Sequence, residues 1–133
     1  MSVYLVSGAT GFIGKRLIQK LKSDNHQIIC LARKTIPGMH TIVCNFESTE
    51  ILSIDMRGVD FVIHLAGLSH DFRNPSKISH IYHKVNVSAT IQLAKLAALS
   101  DVKGFVFISS VKAGGVSHST HCSSESDINI PEG

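Results

Sequence analysis

The stretch VYLVSGATGFIGKRL, Val3 to Leu17, decides the fold of this chain. A short apolar run, Val3 to Val6, stops at three regularly spaced glycines: Gly8, Gly11 and Gly14. An apolar run bounded by glycine predicts a buried strand. The apolar residues that follow recur every three or four positions, which predicts an amphipathic helix over Gly11 to Lys22.

A strand, a glycine turn and a helix start together predict an anion-binding site. Backbone N–H groups at a helix N-terminus are free to bind a ligand, and the helix dipole favours negative charge. One glycine allows the tight bend, one lets backbone approach a pyrophosphate, and one lets helix and strand pack closely. The alternative is a glycine turn needed only for packing.

The rest of the chain repeats the alternation of strand and helix. Further strands are predicted at Gln27 to Ala32, at His40 to Cys44, in VDFVIHLAG (Val59 to Gly67), where the strand runs into a glycine turn, and at KGFVFISS (Lys103 to Ser110). Helices are predicted at Glu47 to Asp55 and at Lys77 to Leu99, the second capped by Ser76, and Val111 to Gly133 is predicted to be loop.

This alternation predicts a Rossmann-type α/β fold, a doubly wound parallel sheet of about five strands in the order 3-2-1-4-5. The strands are apolar throughout, as expected when both faces of a sheet are covered. Only RKTIPGM joins the second and third strands, which is short for a parallel crossover and makes that pairing the least supported.

Length and composition exclude several classes of protein. The chain has 133 residues, 44% hydrophobic and 17% charged, which predicts one globular domain. The net charge of +3 comes from scattered Lys and Arg without interleaved aromatics, so we expect no nucleic-acid partner. We also expect no membrane span and no signal peptide. Cys30, Cys44 and Cys122 are odd in number and unpatterned, which favours reduced thiols in a cytoplasmic protein.

Four segments occur in an informative order: GATGFIG, VIHLAG, VNVSATIQLAKLA and FVFISSVKAGG. With them the chain resembles the extended short-chain dehydrogenases/reductases, in particular the NAD-dependent epimerase/dehydratase family, which includes UDP-galactose 4-epimerase. The resemblance implies the cofactor-binding part of an epimerase, dehydratase or reductase that acts on a nucleotide sugar by hydride transfer. The alternative is a non-catalytic dinucleotide-binding module, a sensor or a scaffold.

The resemblance also implies which residues hold the cofactor. The glycine turn would hold the pyrophosphate, the end of the third strand would touch adenine, the turn after the fourth strand would pack along the cofactor, and an Asn on the long helix would lie near the nicotinamide half. The residues at these positions are Gly8, Gly11, Phe12, Ile13, Gly14, Asn45, Phe46, Leu65, Ala66, Gly67 and Asn86.

The end of the second strand departs from the family pattern. Relatives that use NAD place an acidic residue there, whereas this chain has Ala32 followed by Arg33 and Lys34. An arginine can pair with the 2′-phosphate of NADP. We therefore expect NADP to be slightly favoured over NAD, the alternative being that Arg33 is only a solvated loop charge.

Family catalysis uses Ser or Thr together with a Y-x-x-x-K motif. Ser110 matches the Ser/Thr position, with Ser109 as its neighbour, but no Y-x-x-x-K follows, and Tyr4 and Tyr82 lie elsewhere in the sequence. We therefore expect residues 1–133 to be an incomplete NAD(P)-binding domain, cut before the later strands and lacking the substrate-binding domain. The uncovered fifth strand would then leave apolar side chains for self-association, so we expect a homo-oligomer.

The histidines do not predict a metal site. His118, His121 and Cys122 are close together, as are His80 and His83, but neither group has the spacing of four zinc ligands. His64 ends the fourth predicted strand and is expected to be buried and hydrogen-bonded rather than catalytic.

Overall fold

The computed structural model describes residues 1–48, 51–68 and 75–110. Five strands lie in these ranges: β1 (Val3–Ser7), β2 (Gln27–Ala32), β3 (His40–Val43), β4 (Phe61–His64) and β5 (Gly104–Phe107). The helices are α1 (Phe12–Ser23), α2 (Pro75–Tyr82) and α3 (Ala89–Leu99), with a 3₁₀ turn at Ile51–Ser53 and a π-helical turn at His83–Ser88.

The five strands form one sheet in the order β3-β2-β1-β4-β5, and every neighbouring pair is parallel. β1 is central, with Leu5 opposite Ile29 of β2 on one side and Val62 of β4 on the other. This Rossmann-like α/β topology confirms the predicted fold class and strand order.

The pairing of β3 with β2 is parallel although no helix joins the two strands. The seven connecting residues fold back on themselves instead. The Thr41 hydroxyl accepts a hydrogen bond from Ile36 N–H and donates one to the Met39 carbonyl, and Gly38 takes a left-handed φ of 71°. Side-chain hydrogen bonding to a turn thus replaces the crossover helix.

Two apolar clusters cover the two faces of the sheet. Leu5 and Leu31 point into the cluster that includes Leu93 of α3, whereas Val6 and Cys30 point into the cluster that includes Leu21 of α1. Adjacent residues of one strand therefore serve opposite faces, as the pleat requires. Cys30 and Cys44 are both buried, and burial raises the pKa of the Cys30 thiol.

The amino edge of the sheet is tied by Asp60. Its carboxylate accepts a hydrogen bond from Val3 N–H at 2.8 Å and pairs with the Lys103 ammonium at 2.6 Å. The hydrogen bond from Lys103, followed by that from Val3, lowers the pKa of Asp60. The starts of β1, β4 and β5 are thus held together away from the carboxyl edge.

The predicted long helix differs from the structure in two respects. It is interrupted by the π-helical turn, in which Ala89 N–H donates to the Lys84 carbonyl five residues back. The prediction that Ser76 caps the helix is wrong, because α2 already includes Pro75, a residue whose fixed φ suits the first helical position.

The predicted helix at Glu47 to Asp55 is wrong for the residues described there. Only Ile51–Ser53 is helical, as a single 3₁₀ turn. The Asn45 side chain accepts a hydrogen bond from Glu47 N–H at 3.1 Å, a local turn that competes with helix formation. Residues 49 and 50, and the loop predicted for Val111 to Gly133, lie outside the described residues.

Candidate functional site

A groove of about 270 Å³ opens at the carboxyl edge of the sheet, where the ends of β1, β2, β3 and β4 meet. In open parallel sheets, ligands bind at this edge where the strand order reverses. The lining residues are Gly8, Ala9, Thr10, Gly11, Leu31, Ala32, Arg33, Cys44, Asn45, Phe46, Glu47, Leu65, Ala66, Gly67, Leu68 and Val85.

Gly8 makes the turn that begins the groove. Its φ of 71° lies in the left-handed region, and a Cβ there would lie 2.8 Å from Ala66 N and 2.9 Å from the Leu65 carbonyl carbon. Backbone therefore passes directly over backbone at this point. No other residue type fits, because a side chain would be strained and obstructed at once.

Gly14 allows α1 to pack onto this turn. A Cβ at Gly14 would collide with the Gly8 carbonyl oxygen and lie 2.8 Å from Ala9 Cα. The first turn of the helix thus rests against the backbone that leaves β1. Gly14 itself is buried and does not line the groove.

The N-terminus of α1 lies at the groove, and the first turn of the helix has no acidic side chain that would compete with a bound anion. Gly11 is the N-cap, with extended backbone (φ −74°, ψ 176°) and no side chain to cap the helix. The early N–H groups of a helix lack intrahelical partners and carry the positive end of the dipole. This geometry suits a phosphate.

Phe12 and Ile13, in the first turn of α1, do not line the groove. Their side chains are 77% and 54% exposed. The Arg16 guanidinium lies 4.2 Å from the centroid of the Phe12 ring, a cation–π contact on the outer side of α1.

The far end of the groove carries two opposite charges. Arg33 follows β2 and its side chain is exposed, while Glu47 lies two residues beyond Asn45, after β3. Glu47 was not singled out from the sequence, although its position just after a strand end is the signal that could have found it. The same signal applies to Thr10 and Leu68.

Behind the groove floor runs a buried hydrogen-bond chain formed by Ser7, His64 and Thr90. The Ser7 hydroxyl lies 2.6 Å from His64 Nδ1, and His64 Nε2 lies 2.9 Å from the Thr90 hydroxyl. The Thr90 hydroxyl donates to the Asn86 carbonyl at 2.9 Å, so it accepts from His64 Nε2–H. His64 Nδ1 is then the acceptor for the Ser7 hydroxyl.

His64 is held neutral. Its imidazole is fully buried, and the rings of Phe46, Phe105 and Phe107 lie around it at centroid distances of 5.7, 6.4 and 5.6 Å. Burial lowers the pKa of His64 to about 4. The expectation of a buried, hydrogen-bonded histidine is confirmed.

The Asn86 side chain makes two hydrogen bonds to the loop that follows β4. Its Oδ1 accepts from Leu68 N–H at 2.6 Å and its Nδ2 donates to the Leu68 carbonyl at 2.9 Å, a pair of contacts that we call the Asn86 clamp. Sequence reasoning assigned Asn86 to the nicotinamide half of a cofactor and missed this contact, since the pairing joins residues 18 positions apart.

The residues considered for proton transfer do not meet at the groove. Ser110, three positions beyond β5, is exposed, as is Ser109, and neither lines the groove. Tyr4 stacks on Phe61 and contacts His26 edge-on, in a ring cluster near the start of β1.

The described ranges hold neither a cluster of metal-ligating side chains nor a helix able to span a membrane. Residues 1–48, 51–68 and 75–110 contain no group of three His, Cys, Asp or Glu side chains placed to hold a metal ion. His118, His121 and Cys122 lie outside the described residues. In the same part of the chain, no helix is long and apolar enough to cross a membrane.

Fold and groove together define a Rossmann-type α/β domain with a glycine turn at its ligand edge. Comparison with known proteins gives the family: the chain belongs to the NAD dependent epimerase/dehydratase family, whose model matches residues 4–131. The UDP-glucose 4-epimerase of Vibrio cholerae is 31% identical over 117 residues, which cover 84% of this chain.

Solved structures agree with this assignment. MoeE5 in complex with UDP-glucose and NAD superposes with a TM-score of 0.78 at 28% identity over 98% of this chain. A short-chain dehydrogenase/reductase superfamily protein from Agrobacterium tumefaciens with bound NAD gives a TM-score of 0.81 over 98% of this chain, and at 22% identity it supports the fold alone. The chain spans 35% of the Vibrio protein, 43% of MoeE5 and 40% of the Agrobacterium protein.

Proposed function

We propose that the groove binds NAD or NADP, and that the chain is the cofactor-binding part of an enzyme acting on a nucleotide sugar by hydride transfer. The cofactor would accept and return the hydride. The residues of this chain would bind and orient the cofactor, with its adenosine and nicotinamide halves at opposite ends of the groove.

The observation that carries the proposal is the uncapped N-terminus of α1 beside the left-handed turn at Gly8. Three glycines leave a backbone cradle with no side chain in it, and a Cβ at Gly8 or Gly14 would fill space that backbone needs. A pyrophosphate needs such a cradle, because its oxygens accept hydrogen bonds from N–H groups at close range.

The two ends of the groove suit the two halves of a dinucleotide. The adenosine half would lie near Ala32, Arg33 and Asn45, at the ends of β2 and β3. The nicotinamide half would pass over the segment Leu65–Leu68, which follows β4 and is held by the Asn86 clamp.

The substrate class is proposed from the relatives. The Vibrio relative is a UDP-glucose 4-epimerase, and MoeE5 was solved with UDP-glucose. In our proposal Ser110 hydrogen-bonds the reacting sugar oxygen, and residues other than 1–133 supply the Tyr and Lys for proton transfer and the substrate pocket. The alternative, a dinucleotide sensor or scaffold, has the same groove without that chemistry.

The cofactor proposal is tested by replacing Gly11 with Asp and, as the matched control, with Asn. The backbone at Gly11 is extended, and a Cβ there would lie 3.2 Å from the Gly8 carbonyl oxygen, a tight contact that the two variants share. Both side chains cap helices well. Both variants should therefore stay folded. Only Asp places a carboxylate at the phosphate position, so we expect Gly11→Asp to weaken dinucleotide binding at least about tenfold more than Gly11→Asn.

The readout is a fluorescence or calorimetric titration with NAD(H) and NADP(H), alongside thermal melting. Equal affinities of the two variants for a dinucleotide would contradict the proposal. A wild-type protein that binds neither NAD(H) nor NADP(H) would also contradict it. The enzyme and the sensor are distinguished by assaying a full-length chain of the gene with UDP-sugars. Because a returned hydride leaves no net cofactor reduction, the readout is the converted sugar, and conversion that is lost in Ser110→Ala supports the enzyme.

A further inference from the structure

We propose that the buried hydrogen-bond chain and the Asn86 clamp position the segment Leu65–Leu68 and thereby set the affinity of the groove for its ligand. The residues concerned are positioning residues, because the groove lining given above contains none of Ser7, His64, Asn86 and Thr90. The ligand-affinity part rests on the proposed function. The positioning part does not.

The first step is that the Ser7 hydroxyl binds the start of the segment Leu65–Leu68 through two hydrogen bonds. The Ser7 hydroxyl oxygen accepts from Leu65 N–H and from Ala66 N–H, both at 3.2 Å. These are the same two residues whose backbone lies against Gly8. A shift of the Ser7 hydroxyl therefore acts directly on the point where the glycine turn and the groove floor touch.

The second step is that the direction of every hydrogen bond in the chain is determined. Ser7 has one proton, and His64 Nδ1 takes it, which leaves the hydroxyl oxygen free to accept from both amides. His64 can accept at Nδ1 only while its own proton is on Nε2, and the Thr90 hydroxyl is the acceptor for that proton. Thr90 thus fixes the tautomer of His64, and His64 fixes the rotamer of Ser7.

The third step is that Asn86 joins the two ends of this arrangement. Its carbonyl ends the buried chain by accepting from Thr90, and its side chain holds Leu68 at the other end of the segment. Asn86 lies in the π-helical turn His83–Ser88. Single π-helical turns inside α-helices occur frequently at functional sites, and here the turn contains the residue that serves both ends of the segment.

The competing explanation is a buried histidine whose partners only satisfy its hydrogen-bonding groups. Such a role predicts that removing one of these hydrogen bonds lowers the stability of the whole fold and speeds amide exchange in all strands alike. Positioning predicts instead a local effect, greatest at Ala66 and Leu68. It also predicts rescue by a residue that keeps the hydroxyl.

The test uses Thr90→Val, which keeps the shape but removes the acceptor for His64, and Thr90→Ser, which keeps the hydroxyl. Backbone amide exchange is followed by NMR in the unliganded protein at Ala66 and Leu68, with Leu5 in the centre of β1 as the reference. We expect Thr90→Val to speed exchange at Ala66 and Leu68 about tenfold relative to Leu5, the effect of one lost buried hydrogen bond. Thr90→Ser should stay within about twofold of the wild type at all three amides.

A second variant keeps the test decisive if Thr90→Val folds poorly. Asn86→Ala removes the clamp but keeps the backbone carbonyl that accepts from Thr90. It should speed exchange at Leu68 and leave Ala66 close to the wild type. Acceleration of all amides alike, in either variant, would overturn the positioning role.

Dinucleotide titration of the same variants tests the affinity part. Weakening by about tenfold in Thr90→Val, with recovery in Thr90→Ser, supports it. Unchanged affinity despite faster local exchange overturns it. A wild-type protein that binds neither NAD(H) nor NADP(H) refutes the proposed function and the affinity part together, and the exchange measurements still decide the positioning role.

Discussion

We propose that cofactor choice depends on Arg33. It lines the groove just after β2, where Ala32 takes the place of a carboxylate, and the Glu47 carboxylate also lines the groove. A charge-assisted hydrogen bond to the 2′-phosphate of NADP contributes about 1.5–3 kcal/mol. We therefore predict that NADP(H) binds about tenfold to a hundredfold more tightly than NAD(H), and that Arg33→Ala removes the difference.

The measurement is a titration with both cofactors at matched ionic strength. Arg57→Ala is the matched control, since Arg57 is an exposed arginine that pairs with Asp55 and does not line the groove. Tighter binding of NAD(H), or an unchanged preference in Arg33→Ala, would show that Arg33 is only a solvated charge.

His64 determines a pH dependence of stability. Its pKa in the folded state is about 4, against an ordinary value of 6.5, so between these values the unfolded chain binds more protons than the folded one. The free energy of unfolding should therefore fall as pH drops from about 6.5 to 4, by at most about 1.4 kcal/mol per pH unit from this group.

Urea unfolding at several pH values measures this slope. His64→Gln cannot take up the proton and should flatten the slope, at a cost in stability at neutral pH. Gln19→Ala is the control, because Gln19 is exposed and carries no titratable group, and it should keep the wild-type slope. A wild-type slope in His64→Gln would contradict the assignment.

At the residue scale, the sequence predicted the roles that depend on backbone and missed those that depend on side-chain partners. Gly8 and Gly14 were found because a turn and a close packing contact require glycine. Phe12 and Ile13 were assigned with them, yet their side chains are exposed and neither residue lines the groove. The bonds from Ser7 to His64 and from Asn86 to Leu68 join distant positions, and no local pattern reports them.

At the scale of elements, Gly14 lets α1 pack against the turn that follows β1, and this contact opposes helix propensity. Alanine is favoured over glycine inside a helix by about 1 kcal/mol. A Cβ at Gly14, however, would meet the Gly8 carbonyl and Ala9 Cα, which are backbone atoms that cannot move aside cheaply. We predict that Gly14→Ala destabilises the protein by about 1–3 kcal/mol, as overpacking does.

Thermal or urea unfolding checks this prediction, and Gln19→Ala on an exposed position of the same helix serves as the control. Gln19→Ala should change stability by less than about 0.5 kcal/mol. A more stable Gly14→Ala would mean that propensity outweighs the packing contact.

The elements themselves were predicted unevenly, for physical reasons. Apolar runs located the five strands that lie within the described residues, since strands of a parallel sheet are apolar throughout when both faces of the sheet are covered. The π-helical turn adds one residue to a helical turn, and the spacing of the apolar residues is too loose to show it. The sequence therefore predicts a continuous helix. The helix expected after Asn45 failed because the Asn45 side chain bonds the local backbone.

At the scale of the whole molecule, β5 presents apolar side chains outward. Val106 and Phe107 of β5, and Ile108 just after it, are each nearly half exposed, at 48%, 46% and 45%. Val106 and Ile108 are two positions apart and therefore lie on the same face of the sheet, where exposed apolar surface usually marks a contact. We predict that this chain self-associates through β5 in a concentration-dependent manner.

Light scattering over a hundredfold range of concentration measures the association. Val106→Lys should weaken it, whereas Val43→Lys, which charges an equally exposed position on the opposite edge strand β3, should leave it unchanged. A monomer at every concentration, or equal effects of the two substitutions, would contradict a role for β5.

The central place of β1 has a consequence for synthesis on the ribosome. Val3 of β1 precedes Asp60, which binds it at the start of β4, by 57 residues. At about 5–20 residues per second, the ribosome needs roughly three to twelve seconds to bridge that interval. Until then one edge of an apolar strand has no partner. Slower decoding between β2 and β4 would prolong that interval and raise aggregation, without changing a single contact of the finished protein.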